Sequence, residues 1–184
     1  MLVNRIIALL SLLFVHLSSY AGDFYVTPGI GRGDVKVKSE YSFSGRKQSN
    51  NDFGFGASVG YEFDSNLLVE SNFYRSETDS IFSAFDSYRF SQTRFLLGYA
   101  FDVNPYFRII PKIGYSSWDL DGEEGIFLNP GDEERSNVDG NTSFAQVDFE
   151  FPIKDWFSIN ASYTNTNFDF GKAQSINAGV KFTF

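Results

Sequence analysis

Cysteine is absent from the chain, and histidine occurs once, as His16. Without cysteine there is no disulfide framework, no thiolate metal site and no cysteine to carry an amino-terminal lipid anchor. Basic residues are scarce, 15 against 23 acidic ones for a net charge of −8, which argues against nucleic acid as a partner. The most apolar stretch, Ile6 to Leu17, is too short for a transmembrane helix, which needs roughly 20 residues.

That stretch has instead the layout of a secretory signal. Arg5 sits in a short basic leader, the apolar segment follows, and Ser19-Tyr20-Ala21 meets the small-x-small cleavage rule. Cleavage is expected after Ala21, giving a signal peptide over 1–21 and one domain over 22–184. It removes Arg5 and His16, so the mature chain is expected to be more negative still and to hold no histidine.

Aromatics are plentiful at 18%, with 22 Phe and 10 Tyr, and glycine at 16 is frequent. They fall in a period-two pattern. Phe53, Phe55, Ala57, Val59, Tyr61 and Phe63 form one face of a strand, against Gly54, Gly56, Ser58, Gly60 and Glu62. The same alternation recurs at 94–101, 144–151 and 176–184. The segments share an aromatic-x-aromatic ending, as in Tyr61-Glu62-Phe63 and Phe182-Thr183-Phe184. After the first three comes a short polar turn, at Asp64–Asn66, Asp102–Pro105 and Pro152–Asp155, and a new strand starts at Leu67, Tyr106 or Trp156. The repeat is a hairpin unit. With an opening strand near Phe24–Gly31 the count is eight, joined on the other side by long polar connections at about 32–52, 76–90, 117–141 and 165–173. Pro28 and Pro111 fall inside these strands, and each is expected to break the ladder locally, because proline has no N–H to give.

A soluble exported barrel of the lipocalin type would turn the bulky apolar set inward. Phe, Tyr, Ile, Leu and Val on every strand are too much volume for so narrow an interior. In a membrane barrel lipid requires the opposite order, with the Gly/Ser/Asn-rich set inside. The expected fold is therefore all-β, an eight-stranded antiparallel up-and-down transmembrane β-barrel. The inward set then carries Glu62, Glu70, Asp148 and Glu150 against Arg94, Arg108, Lys112 and Lys181, which are expected to pair across the lumen as structural charges.

These residues resemble the small outer-membrane β-barrel family of OmpA, OmpX and the opacity-type proteins. The run from Asn177 through Gly179 to Phe182 and Phe184 is similar to that class's carboxy-terminal assembly signal. The resemblance implies export to the outer membrane of a Gram-negative bacterium, insertion by the barrel-assembly machinery, and surroundings of outer-membrane lipid and lipopolysaccharide. Because the chain stops at the eighth strand, the peptidoglycan-binding domain that follows some OmpA-like barrels is not expected here.

Outer-membrane enzymes with small barrels resemble one another in using histidine to take and return a proton. With none in the mature chain, no catalytic residue, cofactor-binding residue or metal ligand is expected. Arg32-Gly33-Asp34 spells an integrin-type tripeptide, but so short a match arises readily by chance, and a turn leaving the membrane explains it better. The third connection holds Asp119, Asp121, Glu123, Glu124, Asp132, Glu133, Glu134 and Asp139 against Arg135. Its spacing fails the EF-hand pattern, so a solvated acidic loop is expected rather than a calcium site. Apolar tips at Gly125–Leu128 and Ile81-Phe82 with Phe85 are candidate contact surfaces. The expected function is that of a non-enzymatic surface protein acting through its extracellular loops on an unidentified ligand. The alternative is a narrow passive channel.

Overall fold

A computed structural model describes residues 22–37, 48–77, 87–123, 135–168 and 171–184. The expected signal peptide, 1–21, lies outside them, as do the apolar tips at 125–128 and 81–85. The described residues form β1 (Gly22–Val37), β2 (Gln48–Phe63), β3 (Leu67–Glu77), β4 (Ser87–Tyr99), β5 (Phe101–Asn104), β6 (Phe107–Glu123), β7 (Arg135–Lys154), β8 (Phe157–Phe168) and β9 (Gly171–Thr183). Successive strands pair antiparallel, and β9 returns to pair with β1, so the sheet closes. Because β4 and β5 both pair with β6 along one line, they are two lengths of a single stave. The result is a closed barrel of eight antiparallel staves.

Both prolines leave the gaps their chemistry demands. Pro28 keeps its place opposite Ala57 on β2, while the β1–β9 ladder skips from Val26↔Phe182 to Gly29↔Gly179. Pro111 pairs with Val147 on β7, while the other side of β6 skips from Gly98↔Lys112 to Phe101↔Ile109. That second gap divides β4 from β5, and the N–H of Ala100 turns instead to the carbonyl of Asn66, at 2.8 Å.

Three tight turns lie at one end with both termini of the described chain. Asn66 takes φ 65°, a left-handed conformation that asparagine tolerates in a turn. Tyr106 and Trp156, expected to open strands, sit in the turns, and β6 and β8 begin one residue later.

At the other end the staves run further than composition suggests. β1 continues to Val37, β2 begins at Gln48, β6 reaches Glu123 and β7 begins at Arg135. Stretches expected as loops are thus partly strand. Outside an apolar layer a ladder needs no apolar outward residue, so the alternation fades while the hydrogen bonding persists. Arg32-Gly33-Asp34 is one such stretch: it lies within β1, paired with β2 and β9, and is not a turn. Of the acidic connection, Asp119, Asp121 and Glu123 belong to β6 and Asp139 to β7, while Glu124 and 132–134 lie outside the described residues.

Side chains alternate sharply between the two faces. Phe95, Ile113 and Ile176 stand outward at 63%, 67% and 66% exposure, whereas Arg94 and Lys112, on the other face, retain 5% each. A surface of exposed aromatics and aliphatics around a buried ionic interior is the arrangement that lipid selects and water would not.

Candidate functional site

The interior is built in layers, each joining charged side chains from staves that face one another across the lumen. Nearest the short turns, Arg108 on β6 contacts the Glu62 carboxylate on β2, with Asp102 at 2.8 Å and Glu150 at 3.4 Å. Lys181 on β9 completes the layer, its Nζ 3.0 Å from Glu62 and 2.9 Å from Glu150. Ser158 donates to Glu150 at 3.0 Å. Two basic groups thus share the half-buried Glu62 carboxylate and the buried Glu150 carboxylate, and each carboxylate has more than one donor. Buried charge is tolerated in that condition.

One layer up, Lys112 bridges Glu70 and Asp148, its Nζ 2.6 Å from an oxygen of each. The Tyr25 hydroxyl donates to Glu70 at 2.8 Å, and the Gln146 amide donates to Asp148 at 2.7 Å. Tyr25 also joins the two layers, since Lys181 Nζ lies 4.5 Å from the centre of its ring. The ring lies over Gly60, where any Cβ would collide with it.

Arg94 differs. It was expected to face an acid, yet among the described residues no carboxylate stands within ion-pair distance of it. Its guanidinium carbon lies 5.3 Å from the ring centres of both Tyr74 and Phe144, and its Nε donates to Gln92 at 2.6 Å. Phe144 lies across Gly114, where a Cβ would meet its ring. The charge of Arg94 is offset instead by the Glu70–Lys112–Asp148 group below it, which carries one net negative charge.

Above Arg94 the barrel is closed by apolar side chains: Tyr74, Phe90, Trp118, Leu120 and Phe168 pack together. The Phe168 ring centre lies 5.4 Å from Phe90 and 5.5 Å from Trp118, with the rings edge to face in both pairs. This cap had no counterpart in the sequence reading, although Phe90, Trp118 and Leu120 hold the inward parity of their strands.

Between cap and ionic floor lies a chamber of about 60 Å³, lined among others by Asn72, Arg94, Ser162 and Asn177. It has room for about four waters. Asn72 and Asn177 each present a buried oxygen without a protein donor, which such waters would satisfy. Below the floor a vestibule of about 240 Å³, lined by Asp23, Tyr106, Arg108 and Lys181, opens at the short-turn end. The layer containing Glu150 and Lys181 separates the two spaces. Among the described residues no group of three or more His, Cys, Asp or Glu is placed to hold a metal.

The assembly-signal candidates sit along β9. Asn177 and Gly179 take inward positions, while Phe182 packs on Phe157 with ring centres 5.9 Å apart. The backbone of Phe184 donates to the carbonyl of Phe24 at 2.8 Å, so the last residue ties the end of the ladder to β1.

A family model described as the outer membrane protein beta-barrel domain matches residues 7–184. Among solved structures, the attachment invasion locus protein Ail of Yersinia pestis, in complex with the heparin analogue sucrose octasulfate, aligns at a TM-score of 0.64 and 20% identity, covering 89% of this chain and 99% of that one. Neisserial surface protein A aligns at a TM-score of 0.67 and 15% identity, covering 88% and 97%. The outer membrane protein OprG of Pseudomonas aeruginosa aligns at 0.62 and 14%, covering 90% and 97%. At these identities the likeness is one of fold. No curated protein matches the chain.

Proposed function

This chain belongs to the outer membrane protein beta-barrel domain family, and we propose that it is a non-enzymatic surface barrel whose closed interior is structural and whose activity resides in its extracellular end. It is an outer-membrane protein; the finer role is our reading. The observation that carries it is the double closure of the lumen. The shared ion pairs of Arg108 and Lys181 obstruct the short-turn end, and the Phe90–Trp118–Phe168 cap obstructs the other. Between them lies a chamber of about 60 Å³, room for about four waters.

The eight inward charges hold staves that are far apart in sequence. Glu62 to Lys181 and Glu70 to Lys112 each cross the barrel interior. They make a rigid pedestal, with the short turns in the periplasm and the opposite end of the barrel at the cell surface, as in bacterial outer-membrane barrels. Residues 1–21 serve as the export signal, 22–184 as the barrel, and the run ending in Phe184 as the mark read by the assembly machinery. Osmotic swelling of vesicles carrying the refolded barrel tests the assignment. No swelling above empty vesicles is expected with a small sugar, whereas diameter-dependent swelling would make the protein a diffusion channel.

A further inference from the structure

Two of the three turns at the short-turn end carry a β-bulge. At the β5–β6 turn the register shifts between Asp102 and Asn104, leaving Val103 extra, and at the β7–β8 turn it shifts between Pro152 and Lys154, leaving Ile153 extra. The β2–β3 ladder, in contrast, runs to Glu62↔Leu68 without a shift. A bulge bends its strand and re-aims the side chains around it, and barrel rims carry bulges beside functional sites. The two bulged turns are the ones that wall the vestibule of about 240 Å³, with Pro105 and Tyr106 on one side and Pro152 to Asp155 on the other. The Asn104 side chain accepts from the backbone N–H of Tyr106 at 2.8 Å, which pins a largely exposed ring at the lip.

The charges of the vestibule stand in two tiers. At its base Arg108 and Lys181 meet three carboxylates, Asp102, Glu62 and Glu150, which leaves one negative charge in excess. At its mouth Asp23 and Asp155 stand against Lys154, again an excess of one. All three mouth residues are exposed, and among the described residues their side chains have no hydrogen-bond or ion-pair partner. An anion would meet the wrong sign here. A metal ion needs several carboxylates converging, and among the described residues no three are so placed. Asp23 belongs to β1 and Asp155 precedes β8, two staves round the barrel, a separation of about 10 Å. Carboxylates spaced in this way suit a cation whose charges are spaced too.

We propose that the vestibule binds a small aliphatic diammonium ion, with one ammonium on Asp23, the other on Asp155, and the carbon chain between them against Tyr106 and Ile153. Each ammonium offers three N–H donors to a carboxylate, and the face of the Tyr106 ring attracts a cation. Two positive charges match the vestibule's excess of two negative ones. A monoamine would gain one carboxylate contact, and a dicarboxylate none. The floor stays shut throughout, so the ligand is held at the short-turn end and not passed through the barrel.

The test titrates cadaverine, a five-carbon diamine, into the refolded barrel in nanodiscs of phosphatidylcholine. That lipid has no net charge, and a nanodisc leaves both ends of the barrel open to solvent, so the result does not depend on which end faces the cell exterior. Backbone amide NMR shifts of Tyr106, Ile153 and Asp155 report binding. Wild type is expected to bind the diamine about tenfold more tightly than pentylamine and to ignore glutarate. Asp23→Asn/Asp155→Asn is expected to lose the advantage of the diamine and Tyr106→Ala to weaken binding. Lys154→Gln should strengthen it, because a competing cation is gone, and Asp119→Asn/Asp139→Asn at the other end should change nothing. No shifts with the diamine, equal affinity for the monoamine, or an undiminished advantage in the Asp23→Asn/Asp155→Asn variant overturns the proposal. So does an equal loss in the Asp119→Asn/Asp139→Asn variant, which would mean that net charge alone attracts the cation. Should the first double variant not fold, its two single variants and the wild-type comparison of ligands decide.

Discussion

Replacing Lys112 by methionine removes the cation that bridges the buried carboxylates of Glu70 and Asp148. The ammonium lies 2.6 Å from both Glu70 and Asp148, and the residue is 5% exposed. Methionine keeps most of the side-chain volume, so the cavity term is small and the electrostatic loss is isolated. Removing one partner of a buried pair costs about 3–5 kcal/mol, most of it from the charge left behind. Here two carboxylates are left, though Tyr25 still donates to Glu70 and Gln146 to Asp148. These offsetting effects keep the expected cost within the same range, about 3–5 kcal/mol. Neutralising the acids as well, in Lys112→Met/Glu70→Gln/Asp148→Asn, should restore most of the loss, because an uncharged trio strands no ion. Reversible urea unfolding in lipid vesicles measures both, with Trp118 in the cap and Trp156 in a turn as fluorescent reporters. A cost below about 1 kcal/mol for Lys112→Met, the value typical of exposed pairs, would show that water reaches the trio and that the floor is not closed.

Trimming the cap should act differently from trimming the floor. Trp118→Ala is expected to cost about 3–5 kcal/mol in the same unfolding assay, through the void left among Phe90, Leu120 and Phe168. Gly60→Ala forces the Tyr25 ring from its seat and should cost about 1–3 kcal/mol, with loss of the Tyr25–Glu70 hydrogen bond visible in the tyrosine ultraviolet Raman signal. Deleting Phe184 removes the last bond to Phe24 and the proposed assembly mark, so the heat-modifiable folded form should fall sharply while passage across the inner membrane continues. Arg94→Ala paired with Phe144→Ala should cost less than the sum of the single changes, because each loses the same cation–π contact.

The alternation was legible because lipid and lumen impose opposite demands on neighbouring residues. Once Phe53 and Phe55 are set outward, Glu62 follows inward by parity alone, as Glu70 does from Val69 and Phe73 and Lys181 from Ile176 and Phe182. Which of the inward charges meet was not legible, since pairing across the lumen depends on shear and side-chain reach. Arg94 shows the difference: parity places it correctly, but only the geometry reveals two aromatic rings where an acid was expected. Asp102, in a turn by sequence, enters the floor as a partner of Arg108 at 2.8 Å. Strand ends were underestimated wherever the outward face ceased to be apolar, as at Arg32–Val37 and Asp119–Glu123. For the same reason Phe90, Trp118, Leu120 and Phe168 of the aromatic cap fall in stretches whose composition reads as connection.

Closure of the lumen at both ends is tested most directly by current through single molecules of the refolded barrel in a planar bilayer. Wild type is expected to give no steady conductance steps in salt solution, and Trp118→Ala/Phe168→Ala to give at most brief openings, because the Glu62–Arg108–Glu150–Lys181 floor still stands. Stable ohmic steps from wild type would contradict a closed barrel and make the chamber part of a continuous pore.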